Sequence, residues 1–151
     1  MSREPESIAR KVLKVALLVL LLPVVLVLRL LSNAVVYALV WVLWLPKGKN
    51  VLYVSSDSPI WKEYMETEVF PLVANRAIVL NWSARSEWPH WSLAVRVFRT
   101  FGQRRDFNPM VIVFRPFQRA KVFRFFAAFG EWKDGNTAPI ERLHRDLTHA
   151  L

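Results

Sequence analysis

The residues best suited to chemistry form one short segment, Ser55-Ser56-Asp57-Ser58, directly after a run of strand-forming residues. Serine and aspartate, together with the distant His90, are the residue types of a hydrolase triad, in which the histidine takes the proton of the serine hydroxyl. The segment has no Gly-x-Ser-x-Gly elbow, and a loop followed by a helix cap explains the same residues. Free amides at such a helix start could also hold a phosphate, although the glycines and lysine of a nucleotide loop are absent.

Metal and thiol chemistry find little support in the sequence. The chain of 151 residues has no cysteine, which excludes disulfides, thiolate ligands and cysteine nucleophiles supplied by the chain itself. The histidines are His90, His144 and His149, and a spacing of five residues suits two ligands on one helix poorly. We therefore expect no metal site and no cofactor, and we expect the protein not to be an enzyme.

The element that must position everything else is the apolar stretch Val15–Pro46, which only Arg29, Ser32 and Asn33 interrupt. A run of ~18 or more apolar residues is long enough to cross the hydrocarbon core of a bilayer as a helix. The run exceeds the apolar part of a secretory signal, and no small-residue cleavage site follows it. We predict a membrane anchor, residues 15–46, between a basic tail, residues 1–14, and a linker, residues 47–50.

Two features of the stretch predict its place in a membrane. Indole rings favour the headgroup level and lysines reach the phosphates, and the predicted interfacial residues are Trp41, Trp44, Lys47 and Lys49. Arg29, Asn33 and Tyr37 recur every four positions and share one stripe of a helix. An arginine inside a span needs a partner, so we expect this stripe to contact another membrane helix, of a partner protein or a second copy. The alternative is a hairpin that turns at residues 29–33.

The sequence also predicts the kind of membrane and the side of it on which the domain lies. A compact chain without cysteine favours a bacterial inner membrane. The near flank of the anchor holds slightly more basic residues than the far flank, so the positive-inside rule favours a cytoplasmic N-terminus with the domain outside. The hairpin alternative would place both on the cytoplasmic side.

The remaining residues, 51–151, are enough for one small α/β domain. Their patterning predicts the element order β-α-β-α-β-β-α. The predicted strands are Val51–Val54, Arg76–Asn81, Met110–Phe114 and Lys121–Phe129. The predicted helices run from an N-cap at Ser58 to about Val73, over Trp91–Phe101, and over Ala138–Ala150 with Thr137 as cap. A helix between the first two strands implies a parallel pair, and a short last connection implies a hairpin, which together give a four-stranded mixed sheet.

This element order is the core order of the thioredoxin fold, and the first domain helix resembles one thioredoxin-like subgroup. Residues 62–70 (Lys-Glu-Tyr-Met-Glu-Thr-Glu-Val-Phe) are similar to the helix that begins with Cys-x-x-Cys in that subgroup. The resemblance places Ser58 and Trp61 at the cysteine positions and Pro109 at the position of the family's cis-proline. It implies a thioredoxin-like sandwich without thiol–disulfide exchange, because serine supplies no thiolate. A groove that binds extended chains would remain.

The chain is basic, with a formal net charge of +9, and the excess within the domain lies between residues 96 and 124. The residues predicted to form this basic surface are Arg96, Arg99, Arg115, Arg119, Lys121 and Arg124. Together with an anchor they favour anionic lipid or an acidic protein partner over nucleic acid. The sequence thus predicts a membrane-tethered, non-catalytic binding or assembly module. The alternatives are an enzyme that uses the Ser55–Ser58 loop, and a basic domain that binds anionic lipid or nucleic acid.

Overall fold

The computed structural model describes residues 8–102 and 108–151, and the described chain divides into two compact units between Val35 and Val36. Half of the predicted basic tail, and the segment 103–107 of the basic stretch with its Asp106, lie outside the described residues.

One helix, α1 (Ile8–Leu43), forms the described part of the first unit and continues into the second. It is long and apolar enough to span a membrane. The hairpin alternative is wrong, because the helix runs without interruption through residues 29–33, which contain no glycine or proline to break it. Pro23 lies inside the helix, as membrane helices tolerate.

The second unit is built on a four-stranded mixed sheet with the strand order β2-β1-β3-β4. Its strands are β1 (Val51–Ser55), β2 (Ala77–Asn81), β3 (Met110–Val113) and β4 (Lys121–Arg124). Strand β1 pairs parallel with β2 and antiparallel with β3, and β3 pairs antiparallel with β4. The predicted α/β class, the parallel first pair and the final hairpin are therefore confirmed.

The helical segment between β1 and β2 starts later than predicted. It comprises α2 (Lys62–Tyr64), a π-helical turn (Met65–Val69) and α3 (Phe70–Val73). Ser58 nevertheless makes the hydrogen bonds of an N-cap, because its hydroxyl accepts the amide of Ile60 at 3.4 Å and its carbonyl accepts the amide of Lys62 at 3.0 Å.

Two further elements precede β3. A 3₁₀ helix (Trp82–Glu87) occupies most of the loop predicted after β2, and α4 (Leu93–Phe101) begins two residues later than predicted. Gly102 ends α4, with its amide donating to the carbonyl of Phe98.

Only the first half of the predicted fourth strand is a strand in the structure. Strand β4 ends at Arg124, and helix α5 (Phe126–Lys133) follows directly. Phe125, Ala128 and Phe129 are buried and recur at helical spacing. Their packing in the core favours a helix, although a run of aromatic residues is typical of a strand. Helix α6 (Ala138–Ala150) has the predicted bounds, although the side chain of Asn136 rather than Thr137 accepts its first amide.

The sheet separates two hydrophobic cores, because side chains alternate between its faces. Residues such as Tyr53 and Val111 face the helices α2, α3, α5 and α6. Leu52 and Ile112 face α4 and the end of α1. That end contributes three buried residues at four-residue intervals, Val36, Val40 and Trp44. The domain therefore begins inside α1 and not at residue 51, where the sequence pattern places it.

Candidate functional site

A pocket of about 350 Å³ opens beside the ends of β1 and β2, next to the helical segment 62–73. Its apolar wall is formed by Tyr53, Phe70 and Val79, and its polar rim consists of Ser55, Ser56, Asp57, Glu66 and Asn81. The pocket lies at the carboxyl ends of two parallel strands, where α/β sheets commonly bind ligands. It also lies at the edge of the sheet, because β2 is the outermost strand.

The floor of this pocket is held by Tyr53. The phenol donates a hydrogen bond of 3.0 Å to the carbonyl of Met65 in the π-helical turn, and the ring packs 5.2 Å from that of Phe70. Burial raises the pKa of Tyr53 to about 12. Near neutral pH the phenol is therefore a fixed donor rather than a base.

Asp57 joins the loop after β1 to the end of β2. Its carboxylate accepts hydrogen bonds of 3.2 Å from the amide of Asn81 and the ammonium of Lys62, and its backbone amide donates to Ser83. The bond from Asn81, with that from Lys62 second, holds the pKa of Asp57 below its usual value. These bonds hold the loop after β1 to the segment that follows β2.

Ser56 joins the same loop to the segment before β3. Its hydroxyl oxygen accepts hydrogen bonds from the indole of Trp61 at 3.1 Å and from the amide of Asn108 at 2.8 Å. The peptide bond between Asn108 and Pro109 is cis. The Trp61 ring also contacts Phe126 and Phe129 of α5. The positions that the resemblance assigns to Trp61 and Pro109 are therefore brought together through a contact between Ser56 and Asn108, which the sequence prediction did not include.

The triad considered from the sequence does not assemble. The residues that line the pocket include no histidine, and His90 is exposed on the segment before α4. His144 and His149 lie along the surface of α6 instead. Among the described residues, no group of three or more histidine, aspartate or glutamate side chains could hold a metal ion.

The predicted basic surface contains two kinds of residue. Arg115 donates to the carbonyls of Ala150 and His149 at 2.9 and 3.0 Å, and Arg124 donates to the carbonyl of Phe101 at 3.1 Å. These guanidinium groups bind the C-terminal ends of α6 and α4, where a positive charge is favourable. The exposed basic residues of the set are Arg96, Arg99, Arg119 and Lys121.

Parts of the predicted stripe and interfacial anchor belong to the domain. The hydroxyl of Tyr37 accepts the amide of Ala120 at 2.8 Å, and its ring packs against Phe101 and Phe114. Trp44 is buried in the same core. These two side chains therefore contact the domain, and not a second membrane helix or headgroups as predicted, because they fill the gap between α1 and the sheet.

The other residues of those two sets lie elsewhere. Arg29 and Asn33 belong to the first unit, where Arg29 is exposed. Lys47 is exposed beyond α1, and Lys49 donates to the carbonyl of Asn75 at 3.2 Å. Trp41 is half-buried, with its ring 5.3 Å from that of Phe117.

Comparisons of the chain with protein family models, with curated proteins and with solved structures found no match.

Proposed function

We propose that this protein is a membrane-tethered, non-catalytic binding module, and that its pocket receives an extended segment of a protein partner. We further propose that the domain is a degenerate thioredoxin-like domain. The strand order with one parallel pair supports this, as does the contact of Trp61, at one of the two redox positions, through Ser56 with Asn108, which precedes Pro109.

The observation that carries the binding proposal is the pocket beside β2. Among the described residues the outer edge of this strand has no strand partner. A free edge presents backbone N–H and C=O groups to which an incoming chain can add as a further strand. Val79, in the middle of β2, is 52% exposed although it is a strand-forming apolar residue. An apolar side chain of the partner would contact Val79 and Phe70, while Glu66 favours a basic residue beside it.

The absence of catalysis is proposed from the groups at the site. Neither Ser58 nor Trp61 supplies a thiol, and the indole of Trp61 is bound to Ser56. An enzyme that used the Ser55–Ser58 loop would need a base, and the hydrogen bonds from Asn81 and Lys62 lower the pKa of Asp57, which makes its carboxylate a weaker base.

The membrane part of the proposal rests on α1. Its apolar length suits a span, and its last turns pack in the core of the second unit. We propose a bacterial inner membrane with the domain outside, and partners that reach the membrane surface there. A single cysteine at Asn136, treated with an impermeant maleimide in intact cells, is labelled only if the domain is outside.

The binding proposal is tested by a photo-crosslinking amino acid at Val79 in the full chain in its native membrane. The matched control carries the same amino acid at Trp132, which is 41% exposed on α5. We expect a discrete protein adduct from position 79, absent from position 132 and reduced by Glu66→Lys. Equal adducts from both positions, or none from position 79, would remove the binding role from the pocket.

A further inference from the structure

We infer that the turn between β3 and β4 lies against the bilayer, with Phe117 at headgroup level and Arg119 and Lys121 binding the phosphates of anionic lipids. The inference rests on membrane anchoring by α1, as proposed above, and is independent of what the pocket binds. We call residues 116–121 the membrane turn.

Phe117 is the most unusual residue of this turn. Its side chain is 91% exposed, and its backbone has φ +58°, in the left-handed region that aromatic residues rarely adopt. A buried contact would explain such a conformation, but the only ring contact described for Phe117 is with Trp41 of α1. A strained backbone that displays an apolar ring is typical of a functional surface.

The turn contacts the last turns of α1, which belong to the second unit. The amide of Ala120 donates to the hydroxyl of Tyr37, and the ring of Phe117 lies 5.3 Å from that of Trp41. Tryptophan and tyrosine are the aromatic residues that favour the headgroup level of a bilayer. Phe117 therefore extends an aromatic cluster whose composition is typical of a membrane interface.

The charges of the turn favour anionic lipid as the occupant. Arg119 and Lys121 are exposed, and the stretch 115–124 contains no acidic residue. The neighbouring Arg115 and Arg124 bind helix ends. The attraction of lipid phosphates to the turn therefore depends on Arg119 and Lys121. Aromatic residues beside lysine and arginine are the usual composition of a membrane interface. An anionic leaflet is therefore the partner that matches the aromatic and basic composition of the turn.

The test uses the full chain, which has no cysteine of its own. A nitroxide spin label is placed on Gln118→Cys, between Phe117 and Arg119, and in a second protein on Asn136→Cys as the exposed control. Both proteins are reconstituted into nanodiscs, either with phosphatidylglycerol or with phosphatidylcholine alone. Collision with a water-soluble nickel chelate, measured by electron paramagnetic resonance, reports how far each label is shielded from water.

We expect the label at position 118 to collide with nickel about three- to tenfold less often than that at position 136 in phosphatidylglycerol discs. Arg119→Glu with Lys121→Glu should remove most of that difference, and Phe117→Ser should reduce it. Equal accessibility at the two positions would overturn the inference, as would shielding that survives the double charge reversal or is equally strong in detergent. Co-elution of the protein with the discs reports insertion of α1 separately, and the Val79 crosslinks report the pocket separately.

Discussion

At the scale of single residues, Arg115 shows how a charge that the sequence assigns to a surface becomes part of the framework. Its guanidinium binds the last two carbonyls of α6. Arg115→Ala would leave both carbonyls without these charge-assisted bonds, and we expect a loss of about 1–2 kcal/mol, since the site is only half-buried. Hydrogen exchange of the full chain should show faster exchange over residues 143–151.

The matched control for that prediction is Arg142→Ala. Arg142 lies on α6 itself and is exposed, and a surface substitution of this kind changes stability by less than about 0.5 kcal/mol. Arg115→Lys should retain part of the effect of the native residue, because an ammonium can bind one carbonyl but not both in the fork geometry of arginine. If Arg115→Ala and Arg142→Ala exchange alike, Arg115 is a surface residue as the sequence suggests.

Ser58 and Trp61 give a test of the proposed thioredoxin-like origin. The turn between them is closed by the amide of Lys62, which donates to the carbonyl of Ser58 at 3.0 Å. In the variant with Ser58→Cys and Trp61→Cys, we expect an intramolecular disulfide, and in its reduced form one thiol with a pKa below the usual value of about 8.5. Alkylation rate as a function of pH measures this. The single variant Ser58→Cys is the control for the helix-start effect alone.

The opposite result in this thiol titration would contradict the prediction. Two thiols that both titrate at or above about 8.5, and that stay reduced under mild oxidant, would show that the turn does not reproduce a redox site. The thioredoxin-like proposal would then lose its local support and rest on topology alone.

What sequence reasoning missed at the site is the contact of Ser56 with Asn108. They are 52 positions apart, and each is unremarkable next to a strand. Only the pairing of β1 with β3 brings them within a hydrogen bond, and no local pattern encodes that distance. By contrast, the loop at residues 55–58 could be singled out, because hydroxyl and carboxyl side chains follow a buried strand directly.

At the scale of elements, periodicity predicted the sheet and α6 well and failed where two signals overlap. In the stretch 121–129, aromatic residues favour a strand, whereas Phe125, Ala128 and Phe129 bury one helical face. Tertiary packing against the core decided for helix α5. The same limit applies to α1, whose last turns look like membrane helix because a buried helix and a lipid-facing helix have the same composition.

That end of α1 gives the prediction at this scale. Val40 is fully buried against the sheet, whereas Val42, two residues further along the same helix, is 68% exposed. Val40→Ala should destabilise the domain by about 1–3 kcal/mol, through lost burial and a small cavity, and Val42→Ala by less than about 0.5 kcal/mol. Chemical unfolding in detergent, followed by tryptophan fluorescence, compares the two. Equal effects would mean that α1 does not pack on the sheet as described.

At the scale of the whole molecule, the division at Val35 predicts which fragment can fold. A fragment of residues 36–151 keeps Val36, Val40 and Trp44 in the second core, whereas a fragment of residues 50–151 loses all three. Both keep Asn50, whose backbone and side chain bind Phe114, so the two differ only in the segment 36–49. Burying two valines and a tryptophan is worth roughly 6 kcal/mol, which is comparable to the entire stability of a typical domain.

We therefore expect the fragment 36–151 to unfold cooperatively, and the fragment 50–151 to aggregate or to bind a hydrophobic dye as a loosely packed state. Differential scanning calorimetry of the two fragments in mild detergent distinguishes these states. Trp44→Ala in the longer fragment should lower its midpoint of unfolding and so show that the buried side chain, rather than the added length, is responsible. A cooperative transition in the fragment 50–151 would contradict this, and would mean that the anchor is an appendage that the domain can lose. If the longer fragment alone folds, the last turns of α1 belong to the cooperative folding unit of the domain.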